Sequence, residues 1–369
     1  MSKNLKRKNY YEKRILTFLL AIVVSAGLLT NYAYAISVEQ APCYVSSPEC
    51  PQGYIDYVNE NITKFLIAAE ENQATESCYV GTPFAFNDSN SDVFYFPVIQ
   101  GNDIKYLLRV YPIEDGYSGI ISEFLVREIN SLANLTTSEN PLYLSCNESQ
   151  IIATVGYDEY VLFEYPVELA ESADAAPLAI NETSVKNIKE NGNIPINPII
   201  TRDNPESINL VINYDKNDLQ TTDSWCTAHC LSAIIRTLNK GTPTAKDIMT
   251  QAYGEGNFTT DTAFPWDNML SVTYLYGLYP YVLNYLPPDS ALINELRVRR
   301  PCILAMERNG GRHAVVLRGW NSQIKMWSIW NPWYNFYESF PVGGTYIPTY
   351  DKAKVYTAYG AAYKFDGTF

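Results

Sequence analysis

The chain has 369 residues and a formal net charge of −13, from 40 acidic and 27 basic side chains. This acidic balance, without a basic patch, argues against nucleic-acid binding, because an acidic surface repels the phosphate backbone. The chain contains only two histidines, so we expect no histidine-based metal site, and no motif calls for a cofactor.

The first 35 residues predict a secretory signal peptide. A basic start is followed by an apolar run over residues 15–30 and by the small-x-small sequence Ala-Tyr-Ala at residues 33–35. An uncleaved membrane anchor is the less favoured alternative, because the apolar run is shorter than a membrane span. We therefore expect a secreted protein, extracellular or at the cell surface, that meets the membrane only during export.

Charge divides the remaining chain into two predicted domains. Residues 36–200 contain 24 acidic and 6 basic side chains, a net charge of −18, whereas residues 201–369 contain 15 of each. Such asymmetry is typical of separate modules. The segment over about 175–205 is rich in Asn, Pro, Glu and Ser, which predicts a linker and a place where proteolysis concentrates.

The first half reads as an antiparallel sheet with one or two helices. Apolar spacing predicts a helix over 54–72, and residues 92–113 read as two strands around a turn at 101–103. The segment 117–135 is ambiguous, although ISEFLVREINSL favours a helix. Residues 142–166 hold two more strand-like runs around a turn at 156–158. The pattern predicts an α+β domain.

The second half begins with a predicted helix near residue 226. Asp223 or Ser224 is the expected cap, apolar residues recur at helical spacing from 231 to 238, and Gly241 is the expected end.

A second helix is predicted over 245–253, because Thr244 and Asp247 form a capping-box pattern. After Pro301 the sequence turns to four strand-like runs. The second half is therefore predicted to be α+β as well, with N-terminal helices followed by an antiparallel sheet.

Seven cysteines are an odd number for an oxidising compartment. The spacing of Cys43 and Cys50 suits a local bridge, which leaves Cys78 and Cys146 as the remaining pair of the first half. In the second half, Cys230 and Cys302 are expected either to pair or to stay buried as small core residues.

Cys226 is the candidate nucleophile. It lies just past the expected cap, in the first turn of a helix, where free N–H groups and the helix dipole favour a thiolate. The plainer interpretation is a buried structural cysteine.

The base for such a thiol has two candidates. His313 begins the strand-like run HAVVL, whereas His229 lies three residues after Cys226 on the same helix. We assign the base to His313, because His229 is expected to lean over its own preceding turn. His229 is otherwise a helix-face residue near the cleft.

Three further residues complete a predicted acyl-transfer site. Asn331 follows a hairpin that returns beside His313, so it can orient the imidazole, and Trp333 is placed to shield that bond from water. Gln220, six residues before Cys226, offers a side-chain amide to an oxyanion hole. The plainer alternatives are an Asn-Pro turn residue and an exposed loop glutamine.

The sequences QTTDSWC, HAVVLRGWN and IWNPW resemble the papain superfamily, and within it the staphopain-like secreted bacterial cysteine proteases. The resemblance covers about residues 208–369. It implies a papain-like catalytic domain of helices plus an antiparallel sheet or half-barrel. It implies Cys226 as nucleophile, His313 as general acid/base and Asn331 as its orienting partner, with Gln220 in the oxyanion hole. It also implies that residues 36–200 are an α+β pro-domain that covers the cleft.

The sequence therefore predicts a secreted cysteine endopeptidase, made as a zymogen, with protein or peptide substrates and its own pro-domain as inhibitor. One alternative keeps the site but makes it a cell-wall amidase or a peptide acyltransferase. Another is a non-catalytic module that binds a peptide or inhibits a protease. The chain departs from plant and lysosomal papains in lacking their Cys-Gly-Ser-Cys-Trp surround. His229 and Cys230 stand where small or apolar residues are expected.

Overall fold

The fold is taken from a computed structural model that describes residues 42–69, 78–87, 92–146, 150–164, 183–196, 207–221, 223–308, 311–343 and 356–366. The predicted signal peptide lies outside these residues. No helix among them is both long and apolar enough to cross a membrane.

The first half contains two helices and ten strands in its described part. The helices are α1 (Gln52–Ala69) and α2 (Val126–Ala133). The strands are β1 (Tyr44–Pro48), β2 (Cys78–Gly81), β3 (Phe94–Gln100), β4 (Asp103–Ile113), β5 (Gly116–Ser122), β6 (Leu142–Cys146), β7 (Gln150–Val155), β8 (Asp158–Glu164), β9 (Thr183–Asn187) and β10 (Asn191–Ile194).

The second half places its helices mainly before its sheet. The helices are α3 (Cys226–Thr237), α4 (Ala245–Tyr253), α5 (Met269–Tyr274), preceded by a 3₁₀ turn (Trp266–Asn268), and α6 (Asp289–Arg297). The strands are β11 (Ser207–Asn209), β12 (Tyr281–Leu283), β13 (Cys302–Arg308), β14 (Gly311–Asn321), β15 (Met326–Trp330), β16 (Tyr337–Pro341) and β17 (Thr357–Tyr363). The predicted α+β class is therefore observed.

The strands form two sheets. A five-stranded sheet has the order β8-β7-β6-β1-β9, in which only β1 and β6 run parallel. A twelve-stranded antiparallel sheet has the order β10-β2-β3-β4-β5-β16-β15-β14-β13-β17-β12, and β11 pairs with β14 beside this path. The two halves of the chain therefore share one sheet.

The halves meet where β5 pairs with β16. Glu338 lies opposite Ser122 and Ser339 lies opposite Ile121. Residues 42–369 form one compact unit. The division of the chain into a pro-domain and a protease domain near residue 200 stays a prediction.

Local signals located most elements of the first half. The early helix is α1, and the predicted turn at 101–103 connects β3 and β4, with Gly101 at φ +63°. The helix favoured over ISEFLVREINSL is wrong at its start, because residues 116–122 are strand β5. This strand pairs along its whole length with β4, so sheet pairing overrides the local helical pattern.

The predicted linker over 175–205 is wrong for part of its length. Residues 183–187 form β9, which pairs with β1, and residues 191–194 form β10, which pairs with β2. Ile188 and Ile194 are buried, so this polar segment still contributes to the core. The structure describes residues 183–196 of the predicted linker, and residues 175–182 and 197–205 lie outside the described residues.

The first helix of the second half, α3, begins and ends differently from the prediction. Its N-cap is Trp225 rather than Asp223 or Ser224, and no side chain caps it. It ends at Thr237, before Gly241, because Asn239 adopts the left-handed conformation at φ +56° and the Lys240 N–H bonds to the Ile235 carbonyl. Asparagine tolerates this conformation better than most residues, so the helix does not need the glycine.

The second helix of this half follows its prediction. Thr244 and Asp247 form a complete capping box at the start of α4, with both reciprocal bonds present. Helix α3 packs against β13, β14 and α4, and most of its side chains are buried. Each fully buried Leu or Ile side chain contributes roughly 1.5–3 kcal/mol to the free energy of folding. This packing holds α3, and with it Cys226 at its N-terminus, in place.

The predicted bridge between Cys43 and Cys50 is wrong, because both are free thiols. Strand β1 lies between them, and five extended residues span roughly 16 Å, whereas a disulfide needs Cα atoms within about 7 Å. Burial raises the pKa of both thiols to about 12. Cys230 and Cys302 are buried and unbridged. The pairing of Cys78 with Cys146 stays a prediction.

Gly319 allows β11 to approach β14. A Cβ atom at this position would lie 2.6 Å from the Ile208 carbonyl oxygen and against the Asn209 side chain. We expect Gly319→Ala to lower the free energy of unfolding by roughly 1–3 kcal/mol, because the added carbon forces the strands apart. Thermal unfolding measures this, with the exposed Val211→Ala as control. Equal melting temperatures for Gly319→Ala and wild type would contradict the close packing.

Candidate active site

Cys226 is the first residue of α3, so its backbone N–H belongs to the first turn, whose amides have no partner within the helix. The preceding Trp225 fixes this end of the helix. Its indole N–H donates to the Thr259 carbonyl at 3.0 Å, and its ring packs edge-on against Phe258. Cys226 is half-buried. The helix thus presents a thiol at the end where its dipole favours a negative charge.

Cys230 binds the same helix, α3, to strand β14. One turn after Cys226, its buried S–H donates to the Ala314 carbonyl at 3.4 Å. Burial raises the pKa of Cys230 well above its usual value, and the nearby Cys226 raises it further. Cys230 therefore stays a thiol and a donor. Because Cys226 and Cys230 share a helix face, this bond holds that face of α3 against β14, at the residue that follows His313.

His313 and Asn331 are joined by a direct hydrogen bond. His313 Nε2 lies 3.0 Å from Asn331 Oδ1, and the Trp333 backbone N–H donates to the same oxygen at 3.2 Å. A backbone N–H can only donate, so the shared Asn331 atom is the carboxamide oxygen. His313 Nε2 must then carry the proton, and Nδ1 is the nitrogen that can accept one in the neutral ring. The contact with Trp333 therefore fixes the tautomer of His313.

Trp333 also covers the ring that its backbone helps to orient. The His313 and Trp333 rings are stacked with centroids 3.4 Å apart and planes 2° apart, and Tyr356 meets His313 edge-on at 6.0 Å. His313 is 3% exposed and Asn331 is fully buried. Both side chains of this hydrogen bond are therefore buried beneath the Trp333 ring.

Gln220 lies in the loop before α3 and is 1% exposed. Its backbone N–H donates to the Pro332 carbonyl at 3.0 Å, next to Asn331. Its side-chain Nε2 donates to the Asp223 carbonyl at 2.6 Å, and since a carbonyl only accepts, the amide orientation is fixed. The second N–H of this amide is the one that remains for a ligand.

The structure brings the predicted site residues onto adjacent elements. The turn after β15 bonds to His313 through Asn331 and to Gln220 through Pro332. Across the sheet, burial raises the pKa of Tyr359 on β17. Arg312 lowers it, and Glu307 and Cys226 raise it. Tyr359 adjoins Ala358, which pairs with Met306 on β13, and Met306 in turn lies opposite His313.

His229 does not share this arrangement. Its Nδ1 lies 2.8 Å from the Asp218 carbonyl, and its Nε2 lies 3.2 Å from both carboxylate oxygens of Asp223. Both ring nitrogens are therefore occupied by the loop that precedes α3, so His229 is not placed as the base for Cys226.

The sequence pattern indicated no role for Asp218 and only a helix cap for Asp223. Asp218 accepts the Ala245 N–H at 2.7 Å at the start of α4. Burial raises the pKa of Asp218, while the Ala245 N–H and His229 partly offset this rise. The path of the loop, which decides these contacts, leaves no periodic signal in the sequence.

Comparison with known proteins gives a distant relationship. No protein-family model matches the chain. It is similar to staphopain B of Staphylococcus aureus: for strain N315 the identity is 25% over 275 residues, covering 66% of this chain and 68% of the relative. For strain NCTC 8325 the identity is 24% over 274 residues with the same coverage. This similarity supports a staphopain-like relationship and suggests a cysteine protease.

Asn331→Ala tests the tautomer argument. Without the carboxamide oxygen, the Nε2 proton of His313 loses its acceptor, so we expect the ring to sample both neutral tautomers. Nitrogen-15 NMR of labelled histidine measures this in a Cys226→Ala background, where the thiol cannot exchange a proton with the ring. The exposed Asn335→Ala is the matched control. If the His313 ring in Asn331→Ala stays protonated only on Nε2, the assignment is contradicted.

Proposed function

We propose that the protein is a secreted, papain-like cysteine endopeptidase, synthesised as a zymogen. Cys226 is the nucleophile, His313 the general acid/base, Asn331 its orienting partner and Gln220 a donor to the oxyanion hole. The observation that carries the proposal is the shared Asn331 oxygen, which accepts hydrogen bonds from the His313 ring and from the Trp333 backbone N–H. The distant similarity to staphopain B supports the same class of chemistry.

The reaction follows from the fixed tautomer. His313 Nδ1 takes the thiol proton, and the Cys226 thiolate attacks the carbonyl carbon of the peptide bond. The His313 imidazolium then gives its proton to the leaving amine, which leaves a thioester on Cys226. A water molecule loses a proton to His313 and attacks the thioester, and the carboxylic acid product departs as the thiol is restored.

The oxyanion of each tetrahedral intermediate needs donors that are already oriented. The Cys226 backbone N–H is one, because it lies in the first turn of α3. The second N–H of Gln220 Nε2 is the other, held by the bond of its first N–H to the Asp223 carbonyl. Buried donors of this kind are among the largest contributions to acyl transfer.

The contacts of the first half with the second support the proposal that it is a pro-domain. It joins the catalytic half through β5 and β16. Next to that pairing, Phe124 packs against Tyr334 and Phe336, with ring centroids 5.3 and 6.0 Å apart. Tyr334 follows Trp333, the residue that covers His313. We propose that inhibition acts through these contacts, at the side of the site where the Asn331 turn lies.

The activation cleavage is proposed between β10 and β11. Strand β10 ends at Ile194 in the sheet of the first half, and β11 begins at Ser207 in the sheet of the second. Cleavage inside either strand would have to break its pairing. The sequence that connects them, residues 195–206, is rich in Asn and Pro, a composition that favours proteolysis.

An intact-mass time course of residues 36–369 under reducing conditions tests the function. We expect the wild type to shorten to a fragment that begins between β10 and β11, within about residues 195–207, and Cys226→Ala to stay whole. The wild-type fragment should then cleave casein, and alkylation of Cys226 should stop this cleavage.

The alternatives give different outcomes in the same preparation. If the chain stays whole, it is treated with a separate protease and tested again. A shortened chain that hydrolyses muropeptides but not casein would favour the amidase reading. A shortened chain with no hydrolytic activity, and no difference between wild type and Cys226→Ala in any assay, would favour a non-catalytic module.

Gln220→Ala tests the oxyanion hole separately from the thiol. We expect kcat/KM on a peptide amide to fall roughly 100- to 1000-fold, as when one oxyanion donor is removed. Alkylation of Cys226 by iodoacetamide forms no oxyanion, so its rate should stay within about twofold of wild type. Gln251→Ala, on the exposed face of α4, is the matched control. Equal losses in both reactions would show that Gln220 acts through the thiol instead.

A further inference from the structure

His229 is a buried titratable group that the proposed mechanism does not use. It lies on α3 three residues after Cys226 and is 3% exposed. Its two ring nitrogens contact Asp218 and Asp223, which flank Gln220 in the preceding loop. A histidine buried against both ends of the segment that holds an oxyanion donor is placed to control that segment.

The two contacts set the charge of the ring. The Asp218 carbonyl only accepts protons, and so does an ionised Asp223 carboxylate, whereas a neutral imidazole carries a single N–H. Both hydrogen bonds are made together when His229 is an imidazolium and Asp223 a carboxylate. The Asp218 carboxylate, whose Oδ1 lies 3.9 Å from His229 Nδ1, adds a further favourable charge.

Asp223 connects the ring to Gln220. Its carboxylate faces His229, and its backbone carbonyl accepts the Gln220 Nε2 proton at 2.6 Å. The same carboxylate accepts the Trp225 N–H at 3.0 Å, which ties the loop to the start of α3. In the described part of the chain, Gln220 Oε1 is buried without a hydrogen-bond partner. The direction of the amide therefore depends on the bond to Asp223.

We propose that His229, as an imidazolium, is a positioning residue for the oxyanion hole. It holds Asp218 and Asp223 at fixed places, and through Asp223 it aims the Gln220 amide toward the carbonyl oxygen of the substrate. This inference rests on the proposed function of Cys226 and Gln220. It assigns His229 a role that involves no contact with the substrate and no proton transfer to it.

The test compares His229→Phe, Gln220→Ala and the double variant in the activated protein. We expect His229→Phe to lower kcat/KM on a peptide amide by about 10- to 100-fold, because small misplacement of a catalytic group has effects of this size. The loss should lie in kcat rather than in KM. The rate of Cys226 alkylation by iodoacetamide should stay within about twofold of wild type. The double variant should be no slower than Gln220→Ala alone.

A second measurement does not depend on how His229→Phe folds. Nitrogen-15 NMR of histidine-labelled Cys226→Ala should show two rings at neutral pH, since the chain has two histidines. One ring should carry protons on both nitrogens, and the other only on Nε2. The ring with both protons is assigned to His229 by its loss in a His229 variant, or by its unchanged signal in Asn331→Ala.

Several results would overturn the inference. One is an unchanged kcat/KM in His229→Phe, and another is a fall in its rate of Cys226 alkylation as large as the fall in kcat/KM. The others are a loss of kcat/KM in the double variant equal to the product of the two single losses, and a His229 ring with a proton on only one nitrogen. If the wild type cleaves peptides and Gln220→Ala is impaired while His229→Phe is not, only this inference fails. If the wild type has no acyl-transfer activity at all, the proposed function fails and the positioning role fails with it.

Discussion

The carboxamide oxygen of Asn331 is the atom on which the arrangement of the site depends. It lies on the turn after β15. It accepts one hydrogen bond from His313 on β14 and a second from the Trp333 backbone N–H on its own turn. The position of the imidazole is therefore set by the register of two paired strands rather than by a mobile side chain. Trp333 supplies both the second hydrogen bond to the Asn331 oxygen and the ring stacked on His313. The same residue therefore orients the imidazole and excludes water from it.

The same turn supports the other side of the site. The Pro332 carbonyl accepts the Gln220 N–H, so the loop before α3 is tied to the residue beside Asn331. Cys230 holds the start of α3 to the Ala314 carbonyl, one residue from His313. Both bonds end on backbone carbonyl groups, one on the turn after β15 and one on β14. A site assembled in this way on sheet and helix ends is more exactly placed than one carried by independent loops.

The sequence predicted the features that depend on a few adjacent residues. It did not predict the features that depend on pairing between distant strands. The Thr244 capping box, the hairpin at Gly101 and the placement of Cys226 at a helix start all follow from a few adjacent residues. The joining of β5 to β16 and the strands within the predicted linker depend on partners more than a hundred residues away. The partners of His229 depend on the path of an irregular loop, for which no periodic pattern exists.

The pairing of β5 with β16 has a consequence for a chain that has lost its first half. Among the described strands, β16 would change from an interior strand to the edge of a sheet, with a row of unpaired backbone groups. Such an edge is a template on which another extended chain can add. Glu338, fully buried as the second residue of β16, would then be an inward-pointing acidic residue at that edge, a feature that opposes strand addition. The place where the two halves join is also where a shortened chain must resist self-association.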